Sequence, residues 1–354
     1  MTINFRAPVF SAASPRNPRT GLEMRPGPGK MPARTPPARG LLPSVSPHPA
    51  RPPTPPRAPA GRAVTPASGR LPGMHIALAT EPGDPQHPNE DYASVALPAS
   101  GRGGALVLLD GVTPPEEGYG CVHGVPWFTA RLGGAMLELS VSHRDMTLAE
   151  ALAAAISRTA DGHRDSCDLS HVRTPQATVI AARWSGGTVE HLVLSDSVLL
   201  LERADGSVDP VLDPRLNELP PAVRELRAAV RALPRGSAER AAAGREYGRA
   251  VEALRNAEGG FFTAAADPAV AARAVTGRTP RADVRSLTAL SDGASRWVEV
   301  FREGSWADCV ALVSGQGPQT LIDRVRAAEA ADPACAAFPR GKARDDAAVI
   351  FVAP

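Results

Sequence analysis

From Met74 onward, apolar and polar positions fall into short runs that switch between a two-residue and a 3.6-residue period. Strand-like runs occupy 75–80, 92–97 and 105–110, the last ending in the unbroken Leu106-Val107-Leu108-Leu109 before Asp110 and Gly111. Four aliphatic residues in a row predict a strand buried on both faces. A helix is predicted from near Cys121 through Trp127, Leu132, Met136 and Leu139. A second follows Thr147, which precedes Glu150 by three residues as in a capping box, with Leu148, Leu152 and Ile156 at helical spacing.

Strands are predicted again at 177–184, 188–194 and 197–203, separated by Ser185-Gly186-Gly187 and followed by the turn Arg203-Ala204-Asp205-Gly206. The stretch 220–258 is rich in Arg, Ala and Glu, with a sparse stripe of Leu226, Val230, Val251 and Leu254. It predicts solvated helix. Beyond it come a strand at 260–264, a helix from Pro268, a strand at 285–290, helices at 305–314 and 317–330, and a last strand at 347–353. Hairpin-like strands between blocks of helix, without regular alternation, predict an α+β domain of two packed antiparallel sheets with outer helices.

Composition divides the chain. Residues 1–73 hold 18 of the 37 prolines and carry +10, whereas 74–354 carries −8. A Pro/Arg-rich segment with few aromatics cannot bury enough apolar surface to fold, so 1–73 is expected to be disordered. It lacks the apolar stretch of a secretory signal, and a second reading, left open beside a disordered tail, takes Met74, directly before the first strand, as the biological start and 1–73 as an over-extended reading frame. Residues 74–354 read as one domain, with 213–260 as a variable helical insertion or flap. No apolar run is long enough to span a bilayer, and Cys121, Cys167, Cys309 and Cys335 show no CxxC spacing, so a reduced, cytoplasmic setting is expected. The acidic balance of 74–354 and the absence of a recognisable motif argue against nucleic acid as a partner.

The chemistry gathers where strands end. Asn89-Glu90-Asp91 precedes a strand, Asp110-Gly111 follows one, Ser195-Asp196-Ser197 lies between two, Ser291-Asp292-Gly293 follows another, and Asp345-Asp346 precedes the last. Each alone is an ordinary turn or helix cap. Together, acids at strand ends would converge on one edge of a sandwich and repel unless a cation neutralises them. An oxygen-rich, histidine-poor set suits Mg²⁺ or Mn²⁺ over zinc. Two such ions can drive an in-line phosphoryl displacement.

This ordered set, with Thr178 in an apolar strand between the second and third motifs, resembles the PP2C-type (PPM) metal-dependent serine/threonine protein phosphatases over roughly residues 75–353. The resemblance implies an αββα sandwich, a dinuclear Mn²⁺ or Mg²⁺ centre in a cleft at one end, and hydrolysis of phosphoserine or phosphothreonine on a protein substrate, with a cognate Ser/Thr kinase as the opposing partner. Carried over by position, Asp110 bridges two metals and Gly111 lends its carbonyl. Asp292 and Asp345 complete the other ion's protein ligands, Glu90 and Asp91 act directly or through water, and Asp196 lies near a third, looser position. Asp110 and Asp292 thereby become catalytic candidates.

Several of the family's usual residues differ. Gln86 stands where an arginine grips the substrate phosphate, Arg296 where an acid holds the third metal, and Ser195 and Val198 where a glycine and an arginine flank Asp-Ser. The histidine that usually follows Asp-Gly closely is replaced by Val112-Thr113-Pro114-Pro115, leaving His123 as the nearest proton donor. Two readings stay open: an enzyme in which Arg296 attracts phosphate and His123 moves the proton, or a phosphoprotein-binding pseudophosphatase. Three weaker signals have ordinary explanations. His163, Cys167 and His171, spaced four apart, would share a helical face as metal ligands, but Gly162 and the Ser-Asp pair favour a polar loop. Cys121 beside His123 could form a reactive pair, but reads more simply as the start of a helix. His191, at a strand start, reads as structural.

Overall fold

The computed structural model describes residues 74–354 except 101 and 115–119. The Pro/Arg-rich stretch 1–73 lies outside the described residues. In chain order the elements are β1 (His75–Glu81), β2 (Tyr92–Ala96), β3 (Gly104–Leu109), α1 (Gly124–Ser142), α2 (Leu148–Asp161), β4 (Val179–Ser185), β5 (Thr188–Leu194), β6 (Val198–Arg203), β7 (Val208–Val211), α3 (Pro221–Ala232), α4 (Ala238–Leu254), β8 (Val275–Pro280), β9 (Val284–Leu290), α5 (Asp292–Glu299), α6 (Trp306–Gln316), α7 (Pro318–Ala331) and β10 (Ala347–Ala353).

The strands form two five-stranded antiparallel sheets, β1-β10-β9-β6-β7 and β2-β3-β4-β5-β8. Successive side chains point to opposite faces, so each central strand feeds two cores. In β3, Leu106 and Leu108 pack between the sheets, whereas Val107 and Leu109 face α1 and α2. In β10, Ala348, Ile350 and Val352 fill the inter-sheet core, and Ala347, Val349 and Phe351 meet α5, α6 and α7. Three apolar layers therefore separate four layers of structure, an α+β sandwich of helix, sheet, sheet and helix. That double duty explains the unbroken aliphatic runs, which would each expose a hydrophobic face in a one-sided sheet.

The capping box at Thr147 forms as predicted, with Thr147 Oγ1 accepting from Glu150 N–H and the Glu150 carboxylate accepting from Thr147 N–H. The region 220–258 is two helices broken at Pro234–Ser237; Val223, Leu219 and Phe261 make a small separate core with Tyr247, Val251 and Leu254. The strand expected at 260–264 reduces to single bridges, Ala177 with Ala264 and Arg255 with Phe261, and the helix expected from Pro268 is a 3-10 segment. No described helix is long and apolar enough to cross a membrane.

Candidate active site

Antiparallel pairing decides where the acids meet. Because neighbouring strands run in opposite directions, the ends of β3 and β9 lie at the same edge as the starts of β2, β6 and β10. Tyr92 pairs with Leu109, which sets Asp91 beside Asp110. Leu290 pairs with both Val349 and Val198, which brings Asp292 between Asp345 on one side and Asp196 on the other. Thr178, just ahead of β4, fastens the end of β3: its N–H donates to Asp110 O at 2.9 Å, its Oγ1 accepts from Asp110 N–H at 3.2 Å, and it shares a 2.6 Å hydrogen bond with Ser197.

Two glycines permit this approach. A Cβ on Gly111 would stand 2.6 Å from Glu90 O and 2.5 Å from Val125 Cγ1, and one on Gly293 would collide with Asp346 O. Asp346 anchors the loop ahead of β2, its two oxygens accepting Gly83 N–H at 2.8 Å and Glu90 N–H at 2.6 Å. Asp110 Oδ2 accepts from Asp292 N–H at 3.0 Å, at the first turn of α5. Exposed backbone N–H groups and the helix dipole there favour a negative charge.

Asp110, Asp196, Asp292 and Asp345 line one cavity of about 420 Å³. Burial, first, and the Asp292, Asp91 and Asp196 charges, second, push the Asp110 carboxyl well above the usual range. Asp91 is raised in the same way by burial and by the Asp346, Asp292 and Asp345 charges, against the pull of the nearby Ser291 hydroxyl. Neither Asp91 oxygen has a hydrogen-bond partner among the described residues. Burial and the Asp345 and Asp196 charges raise Asp292 to about 7, against the pull of Arg296 and Lys342. Burial also raises Asp196 and Glu90. Buried carboxylates that raise one another, one of them lacking any donor, form a set that a hard divalent cation would satisfy. The donor set is all oxygen, which fits Mg²⁺ or Mn²⁺.

The other candidates divide. Gln86 is exposed, is not among the residues lining the cavity, and donates its N–H to Asp84 at 2.9 Å. Arg296 is buried and divides its guanidinium between Glu329 at 2.9 Å and Asp345 at 2.6 Å. His123 Nδ1 lies 3.3 Å from Cys167 Sγ and 3.8 Å from Cys121 Sγ, so that nitrogen meets thiols and no carboxylate.

Three cations that the motifs do not include reach the same cavity. Lys342 Nζ bonds Asp345 at 2.7 Å and Thr113 Oγ1 at 2.8 Å, and Thr113 in turn donates to Glu90 at 2.5 Å. Burial opposes the charge on Lys342, but Asp345 outweighs it and holds the ammonium above the usual lysine range. Arg227 on α3 and Arg255 at the end of α4 line the cavity from the 213–260 segment. The Arg255 guanidinium lies 5.5 Å over the Phe261 ring, and its Nε has no hydrogen-bond partner among the described residues. The only sequence signal of Arg227 and Arg255 is membership of an Arg-rich helical stretch, where a charged residue is ordinarily solvated.

No protein-family model matches the chain, and no curated protein matches it. Solved structures are similar to it. A point variant of a bacterial serine phosphatase is 12% identical, with 79% of this chain and 97% of that one covered at a TM-score of 0.48. The serine/threonine phosphatase Stp1 from Staphylococcus aureus is 12% identical, with 79% and 95% covered at 0.46. The catalytic domain of the serine/threonine protein phosphatase PstP, in complex with two manganese ions, is 17% identical, with 79% and 97% covered at 0.44.

Proposed function

We propose that this chain is a divergent PP2C-type phosphatase that hydrolyses phosphoserine or phosphothreonine on proteins. The observation that carries the reading is the meeting of Asp91, Asp110, Asp196, Asp292 and Asp345 from separate chain segments and both sheets at one end of the sandwich, with the Asp91 oxygens unpaired. Asp110, Asp292, Asp345 and the Gly111 carbonyl would hold two divalent cations, Glu90 and Asp91 would act directly or through water, and Asp196 would serve a looser third position. Bound there, Mn²⁺ or Mg²⁺ supplies Lewis-acid polarisation of the phosphoryl group and lowers the pKa of water.

The protein's own part is positioning. Arg255, Arg227 and Lys342 surround the cavity with positive charge and would bind a phosphate dianion in place of the arginine that Gln86 replaces. A guanidinium with an unpaired Nε is suited to that task, since a charge-assisted hydrogen bond is about twice as strong as a neutral one. Arg296 also lines this cavity and, paired with Asp345 at 2.6 Å and Glu329 at 2.9 Å, would hold the Asp345 carboxylate in place. The 213–260 segment, which carries Arg227 and Arg255, is the proposed flap.

Hydrolysis of p-nitrophenyl phosphate by the full chain should require Mn²⁺ or Mg²⁺ and fall to background in Asp110→Ala. Turnover that is metal-independent, or equal in the variant, removes the enzyme reading. One observation favours the second reading, a phosphoprotein-binding pseudophosphatase: Arg296 is committed to carboxylates and His123 to thiols. Metal-dependent binding of a phosphopeptide without turnover would establish it.

A further inference from the structure

Away from the carboxylates, four side chains converge in a way the phosphatase reading does not use. Cys121 and His123 lead into α1, and His163 and Cys167 lie 42 and 46 residues beyond Cys121 in the turns after α2. Their four ligand atoms all fall within 4.8 Å of one another. Cys121 Sγ lies 3.4 Å from Cys167 Sγ, 3.5 Å from His163 Nδ1 and 3.8 Å from His123 Nδ1, and Cys167 Sγ lies 3.3 Å from His123 Nδ1. A tetrahedral zinc ion, about 2.3 Å from sulfur and about 2.0–2.1 Å from nitrogen, demands donor–donor edges of roughly 3.3–3.8 Å. The sulfurs are too far apart for a disulfide, which needs about 2.05 Å.

Local structure builds the site from both sides. Cys167 N–H donates to His163 O at 3.0 Å, a single helical turn that puts both side chains on one side despite Gly162. Asp168 N–H donates to Gly120 O at 2.8 Å and clasps this turn to the loop ahead of α1. Trp127 stacks on the His123 ring at 4.2 Å and meets the His163 ring at 5.0 Å. Cys121 and His163 are buried. His171, the third member of the motif read from sequence, instead accepts from Arg173 N–H at 3.1 Å.

We propose that Cys121, His123, His163 and Cys167 bind one structural Zn²⁺ ion. Four protein donors leave no open coordination position, which is the mark of a structural and not a catalytic zinc. The ion would pin the entry to α1 at Cys121 and His123 against the turns that follow α2 at His163 and Cys167.

The test is elemental analysis and cobalt substitution of the full chain. Isolated protein should carry about one zinc per chain, and Co²⁺-loaded protein should show thiolate charge-transfer bands and tetrahedral d–d bands. Cobalt at the carboxylates gives no thiolate bands, so the two sites are distinguished. Cys167→Ser should abolish both signals, His163→Cys should retain zinc with a stronger charge-transfer band, and His171→Ala should change neither. If Cys167→Ser fails to fold, the native cobalt spectrum decides. Less than about a tenth of a zinc per chain with no thiolate bands, or a Cys121–Cys167 disulfide in freshly isolated protein, would overturn the proposal.

Discussion

Ser195 shows how the site stores strain in one residue. Between β5 and β6 it adopts φ +72°, the left-handed region that glycine enters without cost. Its N–H donates to Asp213 at 3.2 Å and its hydroxyl to Asp196 at 3.2 Å, and these bonds hold the turn that delivers Asp196. A non-glycine residue in this region costs on the order of 1 kcal/mol, and the lost hydroxyl bond, long at 3.2 Å and made to an acid whose charge burial disfavours, offsets only about 0.5 kcal/mol of that. Ser195→Gly should therefore raise unfolding free energy by up to about 1 kcal/mol in urea titration. A destabilised variant would mean that the hydroxyl bond, not the backbone, governs this turn. The resemblance had already marked Ser195 as standing where a glycine is usual; the positive φ supplies the physical reason.

At the scale of elements, legibility followed packing. Strands buried on both faces announced themselves by aliphatic runs, and the cap at Thr147 was written locally. The misses were edges and short pieces. β7 contains Pro210 and β8 contains Gly277 and Pro280; each lies at the rim of its sheet, where a missing N–H is tolerated and the apolar signal is weak. α5 spans 8 residues, too few to reveal a period, yet it carries Asp292 and Arg296. The carboxylates were legible because each strand end repeats an acid in sequence order. Arg255 was not, because only folding brings α4 over the cavity. Arg255→Ala should raise KM for aryl phosphates and phosphopeptides by about 10- to 100-fold, the equivalent of one charged hydrogen bond of about 1.5–3 kcal/mol, with the melting temperature unchanged. Arg255→Lys should recover only part, since a point charge cannot reproduce a guanidinium fork. An unaltered KM would remove Arg255 from the phosphate site.

For the molecule as a whole, the acids at one edge set how stability depends on pH and cations. Asp91, Asp110, Asp196 and Glu90 have folded pKa values above the ordinary carboxylate range, and Asp292 reaches about 7. The folded state therefore binds more protons than the unfolded chain between about pH 4 and 7. Unfolding free energy then falls as pH rises through that window: the protonated cluster is at its most favourable below the unfolded pKa values, and the stability is lost once Asp292 ionises. This is the reverse of the usual salt-bridged acid, represented here by Asp332, whose folded pKa of about 2 arises although burial opposes it, through N–H groups of Phe338 and Ala336 and the Arg340 guanidinium. A cation bound to the ionised carboxylates stabilises only the folded form, by an amount that grows with its concentration over Kd. Protein dialysed free of Mg²⁺ and Mn²⁺ should lose melting temperature from pH 5 to pH 8, and millimolar Mn²⁺ should restore it most at the alkaline end. Asp110→Asn, which removes one of the mutually repelling charges, should flatten the pH dependence in metal-free buffer and abolish most of the Mn²⁺ response. A metal-free melting temperature that rises from pH 5 to pH 8 would show that the cluster is neutralised by the protein's own cations, with Arg296 and Lys342 sufficient without a metal.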